Sequence, residues 1–346
     1  MKKIFAAVLA LLLLAVSALP CAALAEGKKI SVVATIFPIY DWVREIACES
    51  IANIDLTLLL DSGADLHNFQ PTAADILKVS ASDLFIFVGG ESDEWVDDVL
   101  ATAMNADMRT VNLVEALGDQ AKEEELVEGM EHEHDHEHEH KDEDHDHDEH
   151  EHDHEEHDHD HDHEHEEAEM DEHVWLSLRN AQALCRVIAD TLSEIDPDSA
   201  ALYQANAAAY LEKLDALDQA YAAAVDAAAF DTLLFGDRFP FRYLADDYGL
   251  TYYAAFSGCS AESEASFQTI VFLAGKMDEL GLPTVLTIEH PKTRIAETVV
   301  QATKARNQKI LALDSMQSIT AQDVMAGVTY LSIMENNLEV LKEALN

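Results

Sequence analysis

Residues 131–167 contain no apolar side chain: fifteen of these 37 residues are histidine, twenty-one are aspartate or glutamate, and the last is Lys141. A segment of that composition has nothing to bury, so it cannot offset the entropy lost on ordering. It predicts a disordered insert, with limits placed at 119–170, and leaves the fold to the sequence on either side. Those flanks suffice, because the chain has 346 residues of which 48% are apolar, enough for two domains with real cores. Lysine and arginine total 21 against 68 acidic residues, a formal charge of −47. That balance excludes nucleic acid, whose phosphates need cationic side chains. It also excludes adhesion to anionic lipid through basic patches.

Most charge runs are simply solvated. This one carries an imidazole at every second or third position: His132, His134, His136, His138, His140, His145, His147, His150, His152, His154, His157, His159, His161, His163 and His165. Neutral imidazole and carboxylate are ligands for borderline divalent ions such as zinc. A chain of them wraps an ion in many equivalent ways, which gives fast and modest binding. The repeat also produces His-Glu-x-x-His at His136, Glu137 and His140. The zinc-protease form of that motif needs a formed helix, so no protease is inferred.

At the N-terminus, Lys2 and Lys3 precede an apolar run over 4–19, and Ala23-Leu24-Ala25 supplies a small-x-small cleavage site before Glu26. Residues 1–25 read as an export signal, an anchor helix being the alternative. Cys21 offers a third route, lipid attachment, although Pro20 makes its context a poor match. The mature protein is expected outside the cytoplasm, in the periplasm or at the cell surface.

The remaining sequence alternates strand and helix. Strand-like runs fall at 30–36, 54–60, 84–88 and 109–113, and again at 232–235, 251–255, 284–288 and 309–313. Helical patterns fall between them at 38–48, 73–80, 93–104, 240–247, 262–280, 293–305 and 321–344, and a pattern at 176–195 follows the tract. Asp196-Pro197-Asp198 then caps a long alanine-rich helix over 199–228. Strands separated by helices imply parallel sheets, so the fold class is α/β. Two β/α sandwich domains, 26–195 and 231–346, are joined by a rigid linking helix in 196–230, with a cleft between them. In open parallel sheets ligands sit beyond the carboxyl ends of strands. Such ends carry His67, Asp237, the pair Glu289 and His290, and Asp314; with His173, these are the candidate metal ligands. Trp42, Trp95 and Trp175 read as packing residues. Cys48, Cys185 and Cys259 read either as containing one disulfide or as small buried residues.

The segment Gly63-Ala64-Asp65-Leu66-His67-Asn68-Phe69-Gln70-Pro71, with Asp75 and Phe85-Ile86-Phe87-Val88-Gly89-Gly90, resembles the first ligand region of metal-specific solute-binding proteins. These are the extracytoplasmic receptors of zinc and manganese ABC importers, the cluster A-I type. Asp171-Glu172-His173-Val174-Trp175-Leu176-Ser177 resembles their second motif, and an acidic histidine loop is typical of the zinc members. The resemblance implies a buried ion at the domain interface, held by His67 and His173 at matching positions and by Asp314 at the fourth. The third family position falls in Phe235-Gly236-Asp237-Arg238-Phe239-Pro240, where no histidine occurs. Asp237 offers an oxygen there, whereas Arg238 has no acceptor and cannot coordinate a cation; His290 is the other source of a third imidazole.

The implied function is capture of Zn2+ as a transported ligand and its delivery, by a monomeric non-enzymatic receptor, to an ABC permease. Two histidines with two carboxylates favour Mn2+ instead, and a zinc-buffering protein or an exported metallo-hydrolase are the rival classes. Because ligand nitrogens must be deprotonated, affinity is expected to weaken as pH falls through the histidine range.

Overall fold

The computed structural model describes residues 29–130, 169–260, 264–289 and 293–346. Residues 1–25, read as an export signal, with Cys21, the fifteen tract histidines and His290 lie outside the described residues.

The first half runs β1 (Ile30–Ala34), α1 (Phe37–Ala47), β2 (Ile54–Leu58), α2 (Ala73–Ala81), β3 (Leu84–Phe87), α3 (Trp95–Ala101), β4 (Arg109–Asn112) and α4 (Leu113–Leu117). Two helices follow, α5 (Leu178–Ile195) and α6 (Ala200–Asp226). The second half runs β5 (Thr232–Phe239), α7 (Arg242–Tyr248), β6 (Thr251–Ser257), α8 (Phe267–Leu280), β7 (Thr284–Thr287), α9 (Arg294–Ala302), β8 (Lys309–Ala312), α10 (Ala321–Met325) and α11 (Tyr330–Ala344). Each half holds one four-stranded, wholly parallel sheet, ordered β2-β1-β3-β4 and β6-β5-β7-β8. β3 reads Leu-Phe-Ile-Phe and β7 Thr-Val-Leu-Thr, every residue buried, as expected where helices cover both faces of a parallel sheet.

α6 has 27 residues, about 40 Å at 1.5 Å per residue. Its buried side chains are Tyr203, Ala207, Tyr210, Leu214, Leu217 and Tyr221. That alternating spacing of four and three keeps one stripe inward. The stripe meets α1 and α5 of the first half and α11 and α7 of the second. One hydrophobic core therefore runs through both halves, and a smaller cluster lies under α8 and α9. Trp42 and Trp175 are fully buried in the large core, as expected, and Trp95 packs against its edge.

Three details differ from the sequence reading. The pattern at 321–344 is two helices, because Thr329 caps a new start with Ser332 and Gly327 turns the chain at φ +91°. β5 continues to Phe239 through an irregularity between Phe235 and Arg238. The margins of the insert, 119–130 and 169–170, are built into the fold: Glu123 bridges Met170, and Glu124 N–H donates to Glu169 O at 2.7 Å. The reason is compositional, since these margins carry Val127 and Met130, which pack on the large core, whereas 131–167 has no apolar residue.

Gly236 fixes how β5 sits against α9: a Cβ there would lie 2.5 Å from Ala296 Cα. Backbone cannot yield as a flexible side chain does, so Gly236→Ala is expected to destabilise the protein by about 1–3 kcal/mol. Denaturant melts at constant m-value would measure this; an unchanged midpoint would show that α9 shifts freely.

Candidate metal centre

Two short turns hold the histidines. His67 lies in the single 3-10 turn Leu66–Asn68 beyond β2, where Asp65 caps by accepting the His67 N–H at 3.1 Å. His173 precedes another such turn, Val174–Leu176, and leads into α5. Asp171 Oδ1 accepts both the His173 backbone N–H and its ring Nδ1, each at 2.9 Å. His173 is fully buried and the His67 side chain is 9% exposed. Their Nε2 atoms are 3.1 Å apart.

The hydrogen-bond network assigns the protons. Asp171 accepts from His173 Nδ1, so the lone pair of His173 is on Nε2. His67 Nε2–H then donates across the 3.1 Å contact, and His67 Nδ1 accepts from Ser92 Oγ at 2.9 Å. Burial, with a smaller contribution from His173, lowers the His67 pKa to about 3. The ring is thus neutral through and well below the usual histidine range. Glu172 Oε2 lies 3.5 Å from His67 Nδ1, buried and with no hydrogen-bond partner. Burial raises the Glu172 pKa to about 7 against the hydrogen bonds from Ser92.

The third member of the cluster is Cys259, two residues past β6. One ligand atom from each of His67, His173 and Cys259 lies within 4.8 Å of the others, and no further group of three such residues occurs among the described residues. The cluster opens on a cleft of about 310 Å3 lined also by Glu91, Ser92, Glu94, Glu169, Met170 and Glu172. Burial and the carboxylates of Glu124, Asp171 and Glu172 push the Cys259 thiol well above its ordinary value in the absence of a cation.

The carboxylates at the other strand ends are engaged elsewhere. Asp237 accepts the Arg238 N–H at 2.9 Å and the Ile288 N–H at 3.3 Å, tying β5 to β7. Glu289 accepts from the backbone of Ser315 and Gln317 at 2.8 and 3.0 Å, and from the hydroxyls of Ser315 and Ser318. Asp314 accepts the Met316 N–H at 2.8 Å. Burial and then the Glu289 charge raise its pKa to about 6. The structure brings His67 and His173 together; it does not bring Asp237, Glu289 or Asp314 into their group. Arg238 pairs with Asp65, the residue that caps the His67 turn.

Residues 32–344 match the model of the family described as zinc-uptake complex component A, periplasmic. The chain belongs to that family. Among its zinc-uptake relatives, the zinc-binding lipoprotein AdcA of Streptococcus pneumoniae is 32% identical over 319 residues, covering 92% of this chain and 56% of its own length. The chain thus spans about half of that relative. The high-affinity zinc uptake system protein ZnuA of Bacillus subtilis is 27% identical over 320 residues, covering 92% of this chain and 89% of its own. The crystal structure of the Zn(II)-bound ZnuA-like domain of S. pneumoniae AdcA has a TM-score of 0.65 and 27% identity, covering 92% of this chain and 99% of that one.

Cys259 was missed in the sequence because cysteines were weighed for pairing and burial. It was within reach of the rule that selected Asp237 and Asp314, since it follows the carboxyl end of a parallel strand. Cys185 and Cys259 form no disulfide among the described residues.

The neutral His67 also revises the expected pH dependence, because protons do not compete for this ring near pH 6.5. In the metal-free protein, His67 ring shifts followed by NMR should stay constant to about pH 4 and move near 3, whereas an exposed histidine titrates near 6.5. The folded-state value lies below the unfolded one, so His67 contributes stability that is present above about pH 6.5 and lost as pH falls toward 3. A His67 midpoint near 6.5 would contradict this.

Proposed function

We propose that the chain is an exported receptor that captures Zn2+ in the cleft between its two halves and delivers it to the permease of an ABC-type importer. The observation that carries this reading is the histidine pair. Its Nε2 atoms, 3.1 Å apart, are close to the edge of a tetrahedron, roughly 3.3 Å for metal–nitrogen bonds of about 2.0–2.1 Å. An ion entering there displaces the shared proton and leaves both Nε2 lone pairs free to coordinate. With His67 Nδ1 then protonated, the unpartnered Glu172 Oε2 becomes its acceptor, and Asp171 already holds His173 in the required tautomer. Such outer carboxylates orient imidazole ligands and raise their basicity.

Family membership and the zinc-binding names of relatives support zinc over manganese, as does the chemistry of the 131–167 tract, whose imidazoles suit a scavenging role for zinc. In this reading residues 1–25 direct export, and 26–195 and 231–346 form the two lobes about the 196–230 link. The protein works in the periplasm or at the cell surface, with Cys21 a point for a lipid tether, and binds rather than catalyses. Among the described residues, no helix is long and apolar enough to cross a membrane.

Zinc titration of the mature chain against a chromophoric chelator tests this. One tight site should stand out above the weaker tract sites, disappear in His67→Ala and in His173→Ala, and weaken about 10–100-fold in Asp171→Ala. Deleting 131–167 should leave that site intact. Loss of all tight binding on that deletion, with His67→Ala silent, would make the tract the function and the protein a buffer.

A further inference from the structure

We propose that the second half of the protein binds the transported ion through the Cys259 thiolate, giving a His67, His173, Cys259 donor set that selects thiophilic ions such as zinc over manganese. This rests on the receptor reading above and specifies the chemistry of its site. The resemblance places the third ligand within 235–240, a stretch that here falls almost wholly in the irregular end of β5. Of Gly236, Asp237 and Arg238, none is placed to donate: Gly236 has no side chain, Asp237 accepts the backbone N–H groups of Arg238 and Ile288, and Arg238 is a cation.

The donor comes from the neighbouring strand instead. β6 ends at Ser257, and Gly258 lets the turn approach His173, since a Cβ there would lie 3.0 Å from its Cε1. That contact brings Cys259 Sγ within 4.8 Å of the histidine nitrogens. Burial and the surrounding carboxylates favour the neutral thiol, so the entering ion itself must displace the proton; two nearby groups favour the charged sulfur, and two more contacts fix the turn. The Glu172 backbone N–H lies near it. The Arg238 guanidinium is close enough to interact with its charge. The Cys259 backbone N–H is held by Glu124 Oε1 at 3.0 Å, which fixes the turn. Asp65, whose neighbour His67 is the first ligand, pairs with Arg238 across the two halves. Zinc–sulfur bonds of about 2.3 Å and zinc–nitrogen bonds of about 2.0–2.1 Å fit such a trio with a fourth position left over. Thiolate donors favour zinc and softer ions, whereas manganese prefers carboxylate and water. Coordination forms the zinc–sulfur bond and releases the thiol proton to solvent, with no change of oxidation state.

Cobalt(II) is the probe, in the full mature chain. The tract contains no sulfur, so any sulfur-to-cobalt charge-transfer absorption in the near-ultraviolet must come from a cysteine. The wild type should show this band at one equivalent of cobalt, Cys48→Ser should keep it, and Cys259→Ser should lose it. Cys259→Ser should also lose more zinc affinity than the roughly 10–100-fold expected for an outer partner, and Cys259→Asp should narrow the preference for zinc over manganese. Circular dichroism checks the fold of each variant. If Cys259→Ser does not fold, the wild-type and Cys48→Ser spectra still decide. Tight zinc binding without the band, or a band that survives in folded Cys259→Ser, would overturn the thiolate and leave the receptor reading standing. No tight zinc in the wild type would remove both.

Discussion

Tyr330 is fully buried and bonded at both ends, and the geometry of the site follows from it. Its N–H donates to Asp41 Oδ2 of α1 at 2.8 Å, and its hydroxyl donates to the Trp175 carbonyl at 2.7 Å. Trp175 follows His173 by two residues, and its own indole N–H donates to Ser315 O at 2.9 Å. A residue of the second half thus links α1 to the turn that aims His173, and that turn is fastened in return to the loop carrying Asp314. Burial raises the Asp41 pKa to about 6, opposed by the Tyr330 amide and Arg44. A carboxylate buried this deeply is costly to leave without its hydrogen-bond donor. The arrangement therefore specifies one relative placement of the halves.

The architecture was legible because its signals are periodic. Strands buried on both faces read as continuous apolar runs, and the stripe on α6 repeats at helical spacing, so element types and both sheets followed directly. The candidate histidines were legible for a related reason: His67 and His173 stand in local motifs whose neighbours do the positioning. Asp65 caps the turn of His67, and Asp171 fixes the tautomer of His173, all within two residues of sequence.

The rest of the site was not legible, because it depends on contacts far apart in the chain. Nothing local to Asp237 announces that its carboxylate is taken by Ile288 N–H, 51 residues away. Nothing near Glu289 shows that it gathers the loop after β8. Cys259 acquires its meaning only when β6 pairs beside β5 and Gly258 admits the His173 ring. Arg238 reads from its chemistry as unable to coordinate, and its bridge to Asp65 needs the two halves folded together.

Residues 121–130 leave the first half and lie over the second. Lys122 N–H donates to Tyr243 Oη at 2.9 Å, Gly129 sits against Phe272, and Glu124 holds the Cys259 N–H. Tyr243 Oη donates in turn to the Asp171 carbonyl at 2.9 Å, behind His173. The halves are therefore not two shells on a free hinge. Any motion that spreads the cleft must first peel this strap away, surrendering hydrogen bonds each worth about 1 kcal/mol. The strap continues in sequence into the acidic tract and holds the cysteine turn through Glu124, so a pull applied along it arrives at Cys259.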